Sequence, residues 1–254
     1  MDKSPVVPDR EQELITITEF KITSADTDME SRLRPGALFS FLAHAAYVSA
    51  DNLGFGYEHL KENNLFWVLS RLEIHIRRAL LWNEVVEIET WPKDIEGILY
   101  IRDFNVRDLQ GDIVAQAGTS WLAIDSQTKR PRRKDSFDSD LFSRLSKKRA
   151  LNESPAKLPD ISDGDNFRVR STYFDIDLNK HVTSSRYIDW MMDSFAVEFH
   201  KNNYPSLLSV NYVKETMPDT GIEIIRQSET QNDFYFTGRQ PESLKTSFRG
   251  RIKF

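Results

Sequence analysis

The sequence predicts an α+β fold built from one unit used twice. The first observation is an order of elements that recurs: one strand, one long helix, then a run of four strands. The second is a gapless alignment of the two halves at the helix entry, at an offset of 149 residues. It sets Asp26 on Asp175, Asp28 on Asp177, Met29 on Leu178, Phe39 on Ile188 and Phe41 on Trp190. The third is that each helix carries apolar residues at helical spacing on one face, which demands a sheet to pack against. A repeat of this length sets the whole architecture.

Residues 11–23, EQELITITEFKIT, alternate and read as the first strand. A helix follows over ALFSFLAHAAYVSADNLG, with Leu38, Phe41, Leu42, Ala45 and Val48 on one face. Pro35 suits its first turn, and Gly54 and Gly56 mark its exit. Residues 57–63 suit a short further turn of helix. Four strands come next: FWVLSRLEIHIRRAL, EVVEIETWP, ILYIRDFNVRD and DIVAQAGTSWLAID, parted by the turn signals WNE, KDIEG and LQGD. In the first of them Leu72, Ile74 and Ile76 face one way, and Arg71, Glu73, His75 and Arg77 the other. The pattern breaks over 126–166, where a basic run, a short helical stretch and a Pro-, Asp- and Ser-rich linker follow one another. The order then repeats: NFRVRSTYF, a helix over SSRYIDWMMDSFAVEFHKNN, and the strands SLLSVNYVKET, GIEIIRQSE, DFYFTGR and LKTSFRGRIKF. This organisation predicts a first domain over 1–135, a linker with a short helix over 136–165, and a second domain over 166–254.

The chain has 254 residues and no cysteine, which removes disulfides, thiolate metal ligands and a thiol nucleophile. That usage fits a reducing cytoplasm. A net charge of −5 argues against a nucleic-acid partner. No apolar run reaches the roughly 20 residues a membrane-spanning helix needs, and the first residues lack the apolar core of a secretory signal. No pair of the five histidines has metal-ligand spacing, so neither a metal nor a cofactor is expected. His44, on the apolar first helix, reads as a core or interface histidine, and His75 falls on the polar face of its strand.

One stretch stands out: DIDLNKHVTSSRYIDW, with Asp177, Asn179 and His181 at alternate positions just before the second helix. Such residues suit a capped turn. The repeat separates that reading from a functional one. The first half keeps the aspartate and the helix but has Glu30 in place of Asn179 and Arg32 in place of His181. A motif needed only to start the helix would recur in both halves.

These residues resemble those of a known family. DLNKHVTSSRYIDW is similar to the active-site segment of the acyl-[acyl-carrier-protein] thioesterases, the plant FatA/FatB type and their bacterial relatives. WVLSRLEIHIRRALLWNEVVEIETW (67–91) and DSQTKRPRRKDSF (125–137) resemble two further segments of that family, in the same order. The resemblance implies a tandem hotdog fold and hydrolysis of the thioester of acyl-[acyl-carrier-protein] in fatty acid biosynthesis. It implies a catalytic set of Asp177, Asn179, His181 and, from the YVKET segment, Glu215, which lies 34 residues beyond His181. Plant members often carry Cys after that glutamate, where this chain has Thr216.

The chemistry is consistent with such a set. Thioester hydrolysis needs an activated water, a polarised carbonyl and an apolar groove. A neutral imidazole serves as a base near neutral pH. Asn179 suits positioning the water or donating to the thioester oxygen, and Glu215, expected on a facing strand, suits orienting water or imidazole. Asp177 suits orienting the loop. Free helix-start amides at 183–186 are candidate oxyanion donors. The first domain is expected to hold the acyl pocket, with Leu38–Val48, Phe66 and Trp67 as candidate lining. A basic surface near Arg130, Arg132, Arg133 and Lys134, extended by Arg249, Arg251 and Lys253, suits an acidic acyl carrier protein. The rivals are the same hydrolysis on acyl-CoA, dehydratase chemistry, and a non-catalytic acyl-binding protein. A tandem unit pairs its halves internally, so both a monomer and a homodimer remain open.

Overall fold

The computed structural model describes residues 11–132 and 139–254. Ten strands form one antiparallel sheet. Its first half comprises β1 (Thr16–Lys21), β2 (Leu65–Ile76), β3 (Val85–Glu96), β4 (Leu99–Asp108) and β5 (Ile113–Asp125). Its second half comprises β6 (Asp165–Arg170), β7 (Leu207–Tyr212), β8 (Gly221–Thr230), β9 (Asp233–Gln240) and β10 (Lys245–Lys253). The order across the sheet is β1-β3-β4-β5-β2-β7-β10-β9-β8-β6, so each half repeats the same internal order and the halves meet edge to edge at β2 and β7. That seam runs antiparallel from Arg71 opposite Asn211 to His75 opposite Leu207. Gly97 and Gly111, both at positive φ, turn the chain between β3 and β4 and between β4 and β5.

Helix α1 (Pro35–Asn52) starts at a proline in its first turn and lies on one face of the sheet. A short α2 (Tyr57–Glu62) follows it. In the second half the single long helix expected from the sequence is two: α4 (Ser184–Asp193) and α5 (Val197–Asn202). The break falls where the Ser194 hydroxyl donates back to the Met191 carbonyl (2.7 Å), a local bond that competes with helix continuation. Both helices share one core. Leu38, Phe39 and Leu42 of α1 and Tyr187, Ile188 and Met191 of α4 pack with strands of both halves. The two helices come close at Gly36, where an added Cβ would lie 2.2 Å from a carboxylate oxygen of Asp189.

The opposite face of the sheet is covered by the linker. After α3 (Ser139–Ser143) the chain crosses the strands in their spatial order. The Trp91 indole of β3 donates to the Lys148 carbonyl (3.2 Å), and the Ala150 amide donates to Asp103 of β4 (2.8 Å). Arg71 of β2 donates to the Pro155 carbonyl, and Asn211 of β7 holds both Ala156 and Leu158. The Ile161 amide ends the crossing on Thr237 of β9 (2.9 Å). Beneath this strap Lys93 and Asp103 form a buried ion pair at 3.1 Å. The strap also corrects the expected basic surface on the last strand. Arg249 pairs with Asp160 of the strap, and Arg251 and Lys253 pair with Asp233. His44 is exposed on α1, set edge-on to Phe20, rather than buried.

Candidate active site

The site begins with a turn that the two halves share. A capping box opens it: the amide and hydroxyl of Thr172 both donate to Asp175 (2.6 and 2.9 Å), and Arg186 from α4 donates to the other carboxylate oxygen (2.6 Å). Burial works to raise the Asp175 pKa, but these bonds outweigh it and hold the carboxyl below its usual range. Two residues on, the Asp177 amide donates to the His181 carbonyl (2.9 Å). Its carboxylate accepts the amides of Asn179 (2.8 Å) and His181 (3.4 Å). Lys180 completes the turn at φ 64°, in the left-handed region.

The first half builds the same turn. Thr23 and Asp26 form the capping box. The Asp28 carboxylate accepts the amides of Glu30 and Arg32 (2.9 Å each), and Ser31 sits at φ 61°. The aspartate is therefore what the turn requires, and Asn179 and His181 are not. At the position of His181 the first half has Arg32. Its guanidinium bonds Asp28 and the His200 carbonyl and lies over the Tyr204 ring at 5.2 Å. The half-buried His181 ring makes no hydrogen bond to a described residue.

Asn179 is exposed, and its side-chain amide reaches Asp177 only at 3.5 Å, too long for a firm bond. Glu215 is exposed in the loop beyond β7 and not on a facing strand. The strand stops early because Val213 and Lys214 both donate to the single carbonyl of Ser247, a bulge that ends the ladder with β10. The loop is nonetheless tied to the turn: the Val182 amide donates to the carbonyl of Thr216, the residue after Glu215 (2.9 Å). Tyr187 of α4 reports the same proximity. Burial raises its phenol pKa, Thr216 works against this by hydrogen bonding, and the charges of Asp177 and Glu215 raise it further. Among the helix-start amides, those of Thr183 and Arg186 bond Asp175 and Thr183, leaving Ser184 and Ser185 as the candidate donors.

An apolar cleft, open to solvent on one side, lies between α1 and the first half of the sheet. Ala46, Tyr47, Phe55, Trp67, Trp121 and Phe142 line its apolar wall. Trp67 was expected there. Phe66 is not in the lining and sits instead under the Lys129 ammonium at 5.3 Å. Leu38 and Leu42 belong to the shared core. Phe142, from α3, closes on Phe55 and Tyr100 at 4.8 and 4.9 Å between ring centres. Sequence spacing gave no sign of it, because it lies in the linker. Ala46 and Tyr47 fall within the helix Leu38–Val48 that was expected to line the pocket. Burial and then the charge of Asp177 raise the Tyr47 phenol pKa, although the residue as a whole stays 56% exposed.

Paired halves of one helix on an antiparallel sheet, joined strand to strand, define a double hotdog protein with the same polar turn in each half, carrying Asn179 and His181 only in the second, and an apolar cleft in the first. The chain belongs to the acyl-ACP thioesterase family: the family's N-terminal domain matches residues 13–136 and its C-terminal domain residues 157–250. It is 24% identical over 232 residues to an oleoyl-acyl carrier protein thioesterase of Arabidopsis thaliana, covering 85% of this chain and 63% of that protein. It is 27% identical over 201 residues to the acyl-[acyl-carrier-protein] hydrolase FATB1 of Cuphea viscosissima, covering 72% and 45%. The chain thus spans roughly half to two thirds of the length of these relatives. The crystal structure of an acyl-ACP thioesterase from Bacteroides thetaiotaomicron superposes with a TM-score of 0.84 at 25% identity, covering 96% of this chain and 99% of that one. The 12:0-ACP thioesterase of Umbellularia californica shares the fold, with a TM-score of 0.77 at 19% identity, covering 94% and 93%.

Proposed function

We propose that the protein hydrolyses the thioester of acyl-[acyl-carrier-protein], releasing free fatty acid. One observation carries this reading: the same turn is built twice, its aspartate holding the backbone in both halves, and only one half adds Asn179 and His181, side chains the turn itself does not require. His181 acts as the base that takes a proton from water. Its ring is half-buried and uncommitted to any described residue. Asn179 positions the water or the thioester oxygen, and Glu215 orients the water from its loop. Asp177 holds the turn by its two backbone bonds. The amides of Ser184 and Ser185 meet the developing oxyanion. The division into domains at 1–135 and 166–254, with a linker over 136–165, assigns the acyl pocket to the first and the chemistry to the second. The seam at β2 and β7 supports a chain that is self-sufficient as a monomer, and a homodimer of such units is compatible with it.

For the carrier protein we retain the basic run. Arg130 is exposed, and Arg132 is tied to Asp125 at 3.1 Å; Arg133 and Lys134 lie outside the described residues. Among the described residues no helix is long and apolar enough to cross a membrane. A chain without cysteine suits the reducing cytoplasm as the place of reaction. The test is a comparison of carriers. Acyl-ACP is expected to be cleaved with a higher kcat/KM than the matching acyl-CoA. Equal or preferred cleavage of acyl-CoA would overturn the carrier assignment.

A further inference from the structure

The wall of the cleft holds a charge with no counter-ion among the described residues. Arg102 lies on β4, with its side chain on the α1 side of the sheet, and is only 6% exposed. Its Nη1 donates to the hydroxyls of Ser49 (2.9 Å) and Thr90 (3.2 Å), and its guanidinium lies 5.9 Å from the centre of the Phe55 ring. Nε and Nη2 make no hydrogen bond to a described residue, and no described carboxylate pairs with it. The neighbouring Asp103 points to the other face, where Lys93 and the strap hold it. Burial alone pushes the Arg102 pKa down to about 9, so it remains charged at neutral pH. The rest of the wall is aromatic or aliphatic: Phe55, Trp67, Tyr100, Ile101, Trp121 and Phe142. A buried guanidinium with unmade hydrogen bonds is costly. A purely hydrocarbon ligand would remove what water reaches it and leave those donors bare.

We infer that this cleft is built for an acyl chain carrying an oxygen substituent, a hydroxyl or oxo group, which accepts hydrogen bonds from the free edge of Arg102. The inference deepens the proposed function and rests on reading this cleft as the acyl pocket. The unsubstituted chain fills the aromatic wall equally well but forfeits the charged hydrogen bond. A site that hydrogen-bonds a substrate oxygen discriminates strongly against the analogue lacking it.

The test uses free fatty acids, so that it does not depend on turnover. Dodecanoate and a positional series of monohydroxydodecanoates are titrated into the full chain by calorimetry. The series is needed because the depth of Arg102 sets which carbon must bear the oxygen. At least one hydroxy acid is expected to bind about tenfold or more tightly than dodecanoate, the scale of one hydrogen bond to a charged group. In Arg102→Met, which keeps bulk and removes the donors, that ratio is expected to fall to near one, while Arg102→Lys retains part of it. If Arg102→Met does not fold, the wild-type series decides. No position better than dodecanoate, the same preference surviving in Arg102→Met, or no binding of any acid would each overturn the inference. Acyl-ACP hydrolysis by the same preparation reads the proposed function separately: turnover of plain acyl chains without any hydroxyl preference would sink this inference and leave that one standing.

Discussion

Asp177 and Asp28 hold the same turn from equivalent positions, and their neighbours decide what each turn does. Asp28→Ala removes the carboxylate that accepts from two backbone amides and pairs with Arg32. It is expected to cost about 1–2 kcal/mol of stability and to leave kcat unchanged, as denaturant unfolding and an activity assay would show. Asp177→Ala is expected to lose a similar stability and activity as well, because it releases the backbone that aims Asn179 and His181. Equal effects of the two variants on kcat would remove the functional distinction between the halves. Asp175 adds a pH dependence. Its native pKa is held below its unfolded value, near 3.9, so its contribution is fully present above that value and is lost as pH falls through the native one. Asp175→Asn is expected to flatten this acid limb of the stability curve measured between about pH 5 and 2. The distinction between Asp177 and its neighbours was legible in the sequence, since the repeat lacked only the Asn and the His. Tyr47 lies within the helix Leu38–Val48 expected to line the pocket, but the effect of the Asp177 charge on its phenol was not legible, because it arises only once the two halves pair.

At the level of elements, the strap and the close-packed strands carry the testable energetics. Lys93→Met leaves Asp103 buried without its partner beneath the strap and is expected to destabilise by about 3–5 kcal/mol, whereas Lys93→Met with Asp103→Leu recovers most of that loss. Chemical denaturation of the three proteins checks it; no recovery in the double variant would mean the strap depends on the charges themselves. Gly238 on β9 lies against the buried Phe248 ring, where an added Cβ would sit 2.0 Å from a ring carbon. Phe248 in turn packs on Tyr187 of α4 at 5.2 Å, so Gly238→Ala is expected to lower stability by about 1–3 kcal/mol and to disturb the helix that follows the turn of Asn179 and His181. The strands and α1 were readable from alternation and helical spacing. The split between α4 and α5 was not, because apolar periodicity runs through it and the break depends on one serine hydroxyl. The early end of β7 was hidden for a similar reason: a bulge is set by the partner strand, not by local composition.

Over the whole molecule, the proposed division of labour places binding in one half and chemistry in the other, across a seam made by β2 and β7. The repeat made that architecture visible in the sequence, but the expected basic surface was only partly realised. Arg249 pairs with Asp160, and Arg251 and Lys253 share Asp233, partners the alternation of the last strand could not reveal. In the proposed function, carrier recognition then falls to the run near Arg130 and Arg132. Raising salt from about 0.05 to 0.5 M is expected to lower kcat/KM for acyl-ACP several-fold more than for acyl-CoA, since long-range attraction between charged proteins is screened. Parallel curves would remove the electrostatic docking. The central claim is that His181 activates water for thioester cleavage, and the most direct measurement is release of free fatty acid from a panel of acyl-ACPs by the wild type and by His181→Ala, with folding of both checked by thermal unfolding. The account predicts turnover in the wild type and a loss of at least about 10²-fold in the folded variant, as expected for removing a general base. Comparable rates in the two proteins, or no hydrolysis of any acyl-ACP by the wild type, would contradict it.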